Sequence, residues 1–306
     1  MEKDMKVLNQ HQGKNFMIYH GDSCEVLKGL PDNSIHYSMT SIPFASLYTY
    51  SNSERDMGNS RTYEQFAEQY MFLGKEWYRV MMPGRLVSIH CMNLPSSKEH
   101  DGYIGIKDFR GDVIRWMQKL GFIYHSEVCI WKDPVTAMQR TKALGLLHKQ
   151  IKKDSCMSRQ GIPDYLVTFR KPGENPERCT HTNESFPVAL WQQEASPIWD
   201  EYPSPVWWDI NPSDTLQRDS AREEKDERHI CPLQLSVIER GIKLWTNPND
   251  IVLDPFDGIG STGYVALKNG RRHIGVELKE SYYKQAVANC ETAENYLSEQ
   301  QIMNFD

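Results

Sequence analysis

Apolar residues fall into two rhythms along this chain, short continuous runs and runs spaced three or four apart, and the two alternate. The short runs Asn15–His20, Ser34–Thr40, Arg85–Cys91, Phe122–Trp131, Asp164–Arg170, Ile251–Leu253 and His273–Glu277 predict strands. Positions 63, 66, 70, 73, 77 and 80 form the stripe of an amphipathic helix over Tyr63–Val80. Further helices are expected at Cys24–Leu30, at Phe109–Leu120 with Gly121 just past its end, and at Cys231–Leu244, Tyr264–Asn269 and Glu280–Ser298. Pro31-Asp32, Pro83-Gly84 and Asn247–Asp250 read as turns, Ala45–Arg61 as a loop, and the stretch around Gly102 and Gly105 as a glycine-rich loop. Strands alternating with helices predict an α/β fold, a mainly parallel sheet covered on both faces. Residues 1–132 and 229–306 supply that sheet. Residues 133–171 form a basic insertion followed by a last core strand, and the proline- and tryptophan-rich 172–228 reads as an inserted module.

Composition narrows the class. At 306 residues and 39% hydrophobic content, the chain can bury one large core with an appended module. No apolar run approaches the ~20 residues that span a bilayer, so no membrane role is expected. The charged start Met-Glu-Lys-Asp-Met-Lys does not suit a secretory signal, and a cytoplasmic location is the expectation. Seven scattered cysteines without a Cys-x-x-Cys pair read as reduced thiols. Cys179-x-His181 and His229-x-Cys231 offer zinc-like ligands, but one-residue spacings are unusual for a structural site, and no metal is expected. The net charge of −6 argues against indiscriminate polyanion binding. One stretch runs the other way: from Gln139 to Lys171, eight basic residues face only Asp154 and Asp164.

Candidate chemistry begins where Ile251–Leu253 runs into Asp254-Pro-Phe-Asp-Gly-Ile-Gly-Ser-Thr-Gly263. A strand, a glycine turn, a helix and a second strand ending in an acid make a nucleotide-binding unit. The glycines admit a ligand to the backbone, and Glu277, 19 residues past Gly258, can accept from two ribose hydroxyls. Gly258, Gly260 and Gly263 fit the dinucleotide spacing, but Asp254–Gly260 more closely resembles the first motif of S-adenosylmethionine-dependent DNA methyltransferases acting on exocyclic amino groups. Ser41-Ile-Pro-Phe44, at a strand end, resembles that family's catalytic Asp/Asn/Ser-Pro-Pro-Tyr/Phe, with Ile42 in place of the first proline. Gly21-Asp22 stands where the family's adenine-binding acid does. His229-Ile-Cys-Pro-Leu233 resembles its His-x-x-x-Lys-Pro-Leu motif with shorter spacing and Cys231 in place of the lysine. Met82–Val87 resembles its Leu-Lys-Pro-Gly-Gly turn.

The resemblance implies a Rossmann-like methyltransferase fold with circularly permuted motif order, catalytic motif first and cofactor motif last. It makes 1–132 the catalytic part, 229–306 the cofactor part and 172–228 a DNA-recognition module. It assigns S-adenosylmethionine to Asp22, His229, Pro232, Asp254, Phe256, Gly258, Gly260, Thr262 and Glu277. Ser41 Oγ and the Ile42 carbonyl would accept the N–H bonds of the target amino group, with Pro43 completing the turn and Phe44 stacking on a base flipped from double-stranded DNA. Arg140, Lys142, Lys149, Lys152, Lys153 and Arg159 would contact phosphates, or form a solvated helix face. Serine in the first position tilts the target toward cytosine N4, with adenine N6 the alternative. Homodimer formation and a restriction-enzyme partner are left open, and the setting is a bacterial or phage-infected cell. Cytosine C5 chemistry is disfavoured because no Pro-Cys dipeptide occurs. Two other classes stand as rivals, an NAD-dependent oxidoreductase using the same turn and a DNA-binding protein that has lost catalysis.

Overall fold

The computed structural model describes residues 5–43, 56–60, 62–96, 98–133, 152–157, 161–195, 205–216 and 233–303. Its strands are β1 (Asn9–Gln12), β2 (Phe16–His20), β3 (Ile35–Ser41), β4 (Met81–Met92), β5 (Leu94–Ser96), β6 (Gly105–Lys107), β7 (Ile123–Ile130), β8 (Asp164–Arg170), β9 (Val206–Trp207), β10 (Ile251–Asp254) and β11 (Arg272–Glu277). Nine of them form one sheet in the order β1-β2-β11-β10-β3-β4-β8-β7-β9, and β5 pairs with β6 apart from it. The five strands β2, β11, β10, β3 and β4 are parallel. β8 runs antiparallel to β4 and to β7, so the parallel expectation holds at the centre and yields at the edge.

Both faces are covered. Val252 and Leu253 are adjacent, fully buried, and enter different cores, as the two faces of a covered strand require. Helices Ser23–Gly29, Tyr63–Val80 and Phe109–Lys119 pack on one face around Phe66, Tyr70 and Trp77. Leu235–Trp245, Ser261–Lys268 and Glu280–Met303 cover the other. From β3 the chain crosses by Tyr63–Val80 to β4, whereas from β10 it crosses by Ser261–Lys268 to β11, in the opposite direction. The carboxyl ends of β3 and β10 therefore flank a switch point, where open α/β sheets form a ligand crevice.

Three readings change. The Pro83-Gly84 turn lies inside β4, as a bulge: the β3 register jumps from Ile35↔Met81 to Tyr37↔Leu86, and Gly84 has φ 73°. The glycine-rich loop carries a short helix, Lys98–Asp101, and the β5–β6 hairpin. Within 172–228, β9 joins the main sheet beside β7, and Trp207 and Ile210 are buried in the core with Leu233 and Val237. Arg240 holds this segment, lying over the Trp207 ring and pairing with Asp209. Asp214 then caps the next helix, accepting from Ser236 N at 3.0 Å. Among the described residues, no helix is long and apolar enough to cross a membrane.

Candidate active site at the switch point

The glycine turn grows out of β10. Asp254 ends the strand, and its Oδ1 accepts from Phe256 N at 2.9 Å and from Thr40 Oγ1 at 2.6 Å, tying the turn to β3. Gly260 begins the following helix at φ 81°, where a Cβ would stand 2.9 Å from the Ala286 Cα; left-handed backbone and close helix approach both require glycine there. At Gly258, φ is 56°, and the nearest atom to a Cβ is 4.0 Å away, so the turn has open space beside it. Glu277 ends β11 and closes the site: Oε2 accepts from Gly258 N at 2.9 Å and Oε1 from Lys279 N at 2.8 Å. Thr262 is 2% exposed and donates to the Met39 carbonyl at 3.3 Å, so its hydroxyl braces the turn against β3.

Burial pushes the Glu277 carboxyl up to about 8, against the two backbone donors that favour its charge. Asp254 is pushed up to about 7, by burial first and by Asp257 second. Folded values above the unfolded ones mean that the native state holds protons which the unfolded chain has lost. Stability of the ligand-free protein should therefore fall as pH rises from the ordinary carboxylate range to about 8. Glu277→Gln should flatten that decline in a series of thermal unfolding curves spanning about pH 5 to 9.

Further acids gather at the same edge. Asp22 caps the first helix, accepting from Cys24 N at 2.8 Å, and Gly21 N donates to the Glu277 carbonyl at 3.0 Å. Asp56 has no sequence signal, because Ala45–Arg61 shows no period, yet it is buried and accepts from Gly58 N at 2.8 Å. Among the described residues its Oδ2 has no hydrogen-bond partner, and its charge helps raise Glu277. Asp22, Asp56, Asp254 and Glu277 thus gather at one edge, an arrangement that suits a cationic ligand bearing hydroxyls and disfavours a pyrophosphate.

On the β3 side, Ser41 is half-buried at the strand end, directly opposite His90 of β4. Ser41 Oγ is 2.9 Å from His90 Nδ1, and His90 Nε2 is 2.9 Å from Asp164 Oδ2. Lys132 pairs with Asp164. Neither His90 nor Asp164 belongs to a motif visible in the chain; the register of β4 against β3 is the signal that finds the histidine. Ile42 is 1% exposed and packs in the core with Met57 and Leu253, so the substitution for proline is accommodated by burial. Pro43 is half-buried, whereas Phe44 lies outside the described residues, as do His229, Pro232, Arg140, Lys142, Lys149 and Arg159. Lys152 and Lys153 are exposed. Of the zinc-like set, Cys179 Sγ lies 3.5 Å from His181 Nε2, and positions 229 and 231 are outside the described residues.

A DNA methylase family model, that of the N6/N4 methyltransferases, matches residues 35–288. The type II methyltransferase M.BglII of Bacillus subtilis is 25% identical over 290 residues, covering 92% of this chain and 72% of its own. A putative DNA modification methylase from Thermus thermophilus, solved with S-adenosyl-L-methionine, superposes with a TM-score of 0.63 at 23% identity, covering 90% of this chain and 93% of that one. The PvuII DNA methyltransferase, described as cytosine-N4-specific, gives a TM-score of 0.63 at 19% identity over 93% of this chain and 90% of that one.

Proposed function

This chain belongs to the DNA methylase family of N6/N4 amino-methyltransferases, and on that premise we propose that it moves a methyl group from S-adenosylmethionine to the exocyclic nitrogen of cytosine N4 in double-stranded DNA. The observation that supports the reading is adjacency: Ser41 and the glycine turn end neighbouring strands whose linked residues, Ser38 and Leu253, are 215 positions apart. The acidic edge fits the ligand, since S-adenosylmethionine has a cationic sulfur and a ribose diol, whereas the pyrophosphate of a dinucleotide would meet an edge lined with carboxyl groups.

S-adenosylmethionine, when bound, supplies a methyl carbon on a sulfonium that leaves as a neutral thioether. The chain's own work is positioning. Glu277 holds the two ribose hydroxyls, which favour its charged form, while the backbone at Gly258 and Gly260 gives the ligand close approach. Ser41 Oγ and the Ile42 carbonyl each accept one N–H bond of the target amino group. That draws the nitrogen lone pair out of conjugation and aims it at the methyl carbon. The nitrogen would gain the N–C bond as the C–S bond breaks, its surplus proton passing to water. No covalent enzyme intermediate is needed. Serine in the first position of the motif favours cytosine N4 over adenine N6.

The target base must leave the duplex to reach the crevice, at a cost of a few kcal/mol. We assign phosphate contacts to the basic run that includes Lys149, Lys152 and Lys153, and reading of the target sequence to residues 172–228. Replacing the three lysines by glutamine should flatten the plot of log affinity against log salt by about 0.9 for each phosphate that is no longer neutralised. An unaltered slope returns them to a solvated face.

The cofactor pocket is tested by Glu277→Ala, which should weaken S-adenosylmethionine binding by about 1.5–3 kcal/mol in calorimetry. Unchanged affinity in the folded variant would place the pocket elsewhere. Nucleoside analysis of DNA treated with the protein tests the target. N6-methyladenine without N4-methylcytosine rules out the cytosine assignment, and no methyl incorporation at all favours the inactive binding protein.

A further inference from the structure

The hydroxyl that must accept a hydrogen bond from the target amino group also carries a proton of its own. A freely rotating serine presents that proton to the amino hydrogens in part of its range, a donor facing a donor. In this protein the proton has a destination. His90 Nδ1 lies 2.9 Å from Ser41 Oγ, on the neighbouring strand and in direct register. The other ring nitrogen, Nε2, lies 2.9 Å from Asp164 Oδ2 on the strand beyond.

The direction of the chain follows from its far end. Burial alone would raise the Asp164 carboxyl, but the Lys132 cation, with the hydrogen bonds from Lys132 and His90, outweighs it and holds it below the ordinary carboxylate range. An ionised carboxylate only accepts, so His90 Nε2 is the nitrogen that carries hydrogen. In the neutral ring Nδ1 is then an acceptor, and Ser41 must donate to it. The side chains of His90 and Asp164 are 7% and 1% exposed, which keeps water from competing for either bond. With its proton drawn toward β4, the Ser41 oxygen has its lone pairs left for the crevice.

Resting on the reading of Ser41 as an acceptor for the target amino group, we propose that His90, oriented by Asp164, is a positioning residue for methyl transfer. It takes the Ser41 hydroxyl proton in a hydrogen bond and so holds the serine as a fixed acceptor. Among the described residues, the groups that face it are Ser41 from β3, Asp164 from β8 and, through Asp164, Lys132 just past β7.

Two measurements test this. In ¹⁵N spectra, with His90 identified by its absence in His90→Gln, Nε2 should be protonated and Nδ1 not, and Ser41→Ala should shift Nδ1. A protonated Nδ1 overturns the proposal, because Ser41 would then accept from the ring. In single-turnover transfer at saturating cofactor and DNA, His90→Phe should slow the methyl step roughly a hundredfold while cofactor affinity stays unchanged. His90→Gln should recover most of that loss, since its amide oxygen can accept from Ser41 while its NH2 group serves Asp164. A His90→Phe rate equal to wild type, or a His90→Gln rate as low as that of His90→Phe, refutes the positioning role. Wild-type protein that shows the expected tautomer but methylates no DNA leaves the Ser41–His90 link standing and strikes the substrate reading instead.

Discussion

His273→Leu should destabilise the protein by about 3–5 kcal/mol, because it strands a buried carboxylate under the glycine turn. His273 Nε2 and Asp257 Oδ1 are 3.0 Å apart, and both side chains are 0% exposed. The other ring nitrogen reaches the Val252 carbonyl at 3.1 Å, which binds the imidazole to β10 as well. The surroundings leave no room for water to take over. A Cβ at Gly275 would lie 2.3 Å from Asp257 Oδ2, and one at Gly263 2.5 Å from the His273 ring. Among the described residues Asp257 Oδ2 has no hydrogen-bond partner, and the ring compensates the charge through Oδ1. Urea unfolding checks the magnitude. Adding Asp257→Ala to His273→Leu should restore part of the loss, since an unpaired buried charge costs more than a missing pair. Because Asp257 lies between Phe256 and Gly258, cofactor affinity should fall along with stability. A single variant with the wild-type urea midpoint would show that the pair does not hold the turn.

Arg85→Met should cost a similar amount, about 3–5 kcal/mol, yet leave cofactor affinity intact in the folded protein. Arg85 is 3% exposed at the other end of the central strands. Its Nε donates to the His36 carbonyl at 2.8 Å and Nη1 to the Glu177 carbonyl at 3.1 Å, while Nη2 pairs with Asp250. Asp250 also accepts from Asn247 N at 2.9 Å, and His36 Nδ1 accepts from Ile251 N at 3.1 Å. One guanidinium therefore joins the starts of β3 and β10 to the segment that follows β8. Methionine keeps the length of the side chain but leaves the Asp250 carboxylate without its cation. His36, Glu177 and Asp250 bring ligand-type atoms within 4.8 Å of one another, and the Arg85 cation already serves Asp250 in that group. The contrast with His273→Leu is the test: similar loss in urea, with calorimetry separating the variant that loosens the cofactor turn from the one that does not.

Much of the architecture is legible because it is local. The helix over Tyr63–Val80 has the predicted bounds, since its apolar stripe is strong and Thr62 caps it through Gln65 N at 3.2 Å. Asp164–Arg170 likewise stands as read. The polar strand β1 escapes the pattern because its residues are mostly exposed and its pairing with β2 gives no apolar signature. β9 escapes it because two residues have no periodicity; only the β7 edge and the core around Trp207 make them a strand.

By itself the sequence determined the alternation of strands and helices, the glycine turn with its closing acid, and the motif that begins at Ser41, because each rests on residues near one another in the chain. Tertiary structure alone decided what those parts face. The switch point exists because β3 and β10 became neighbours while their crossovers left in opposite directions. His90 reaches Ser41, and Asp164 reaches His90, only through the strand register of β3, β4 and β8. The acids that raise the proton affinity of Asp254 and Glu277, together with those two groups, come from three separate stretches of chain, and charges act through space, at distances no spacing along the sequence records.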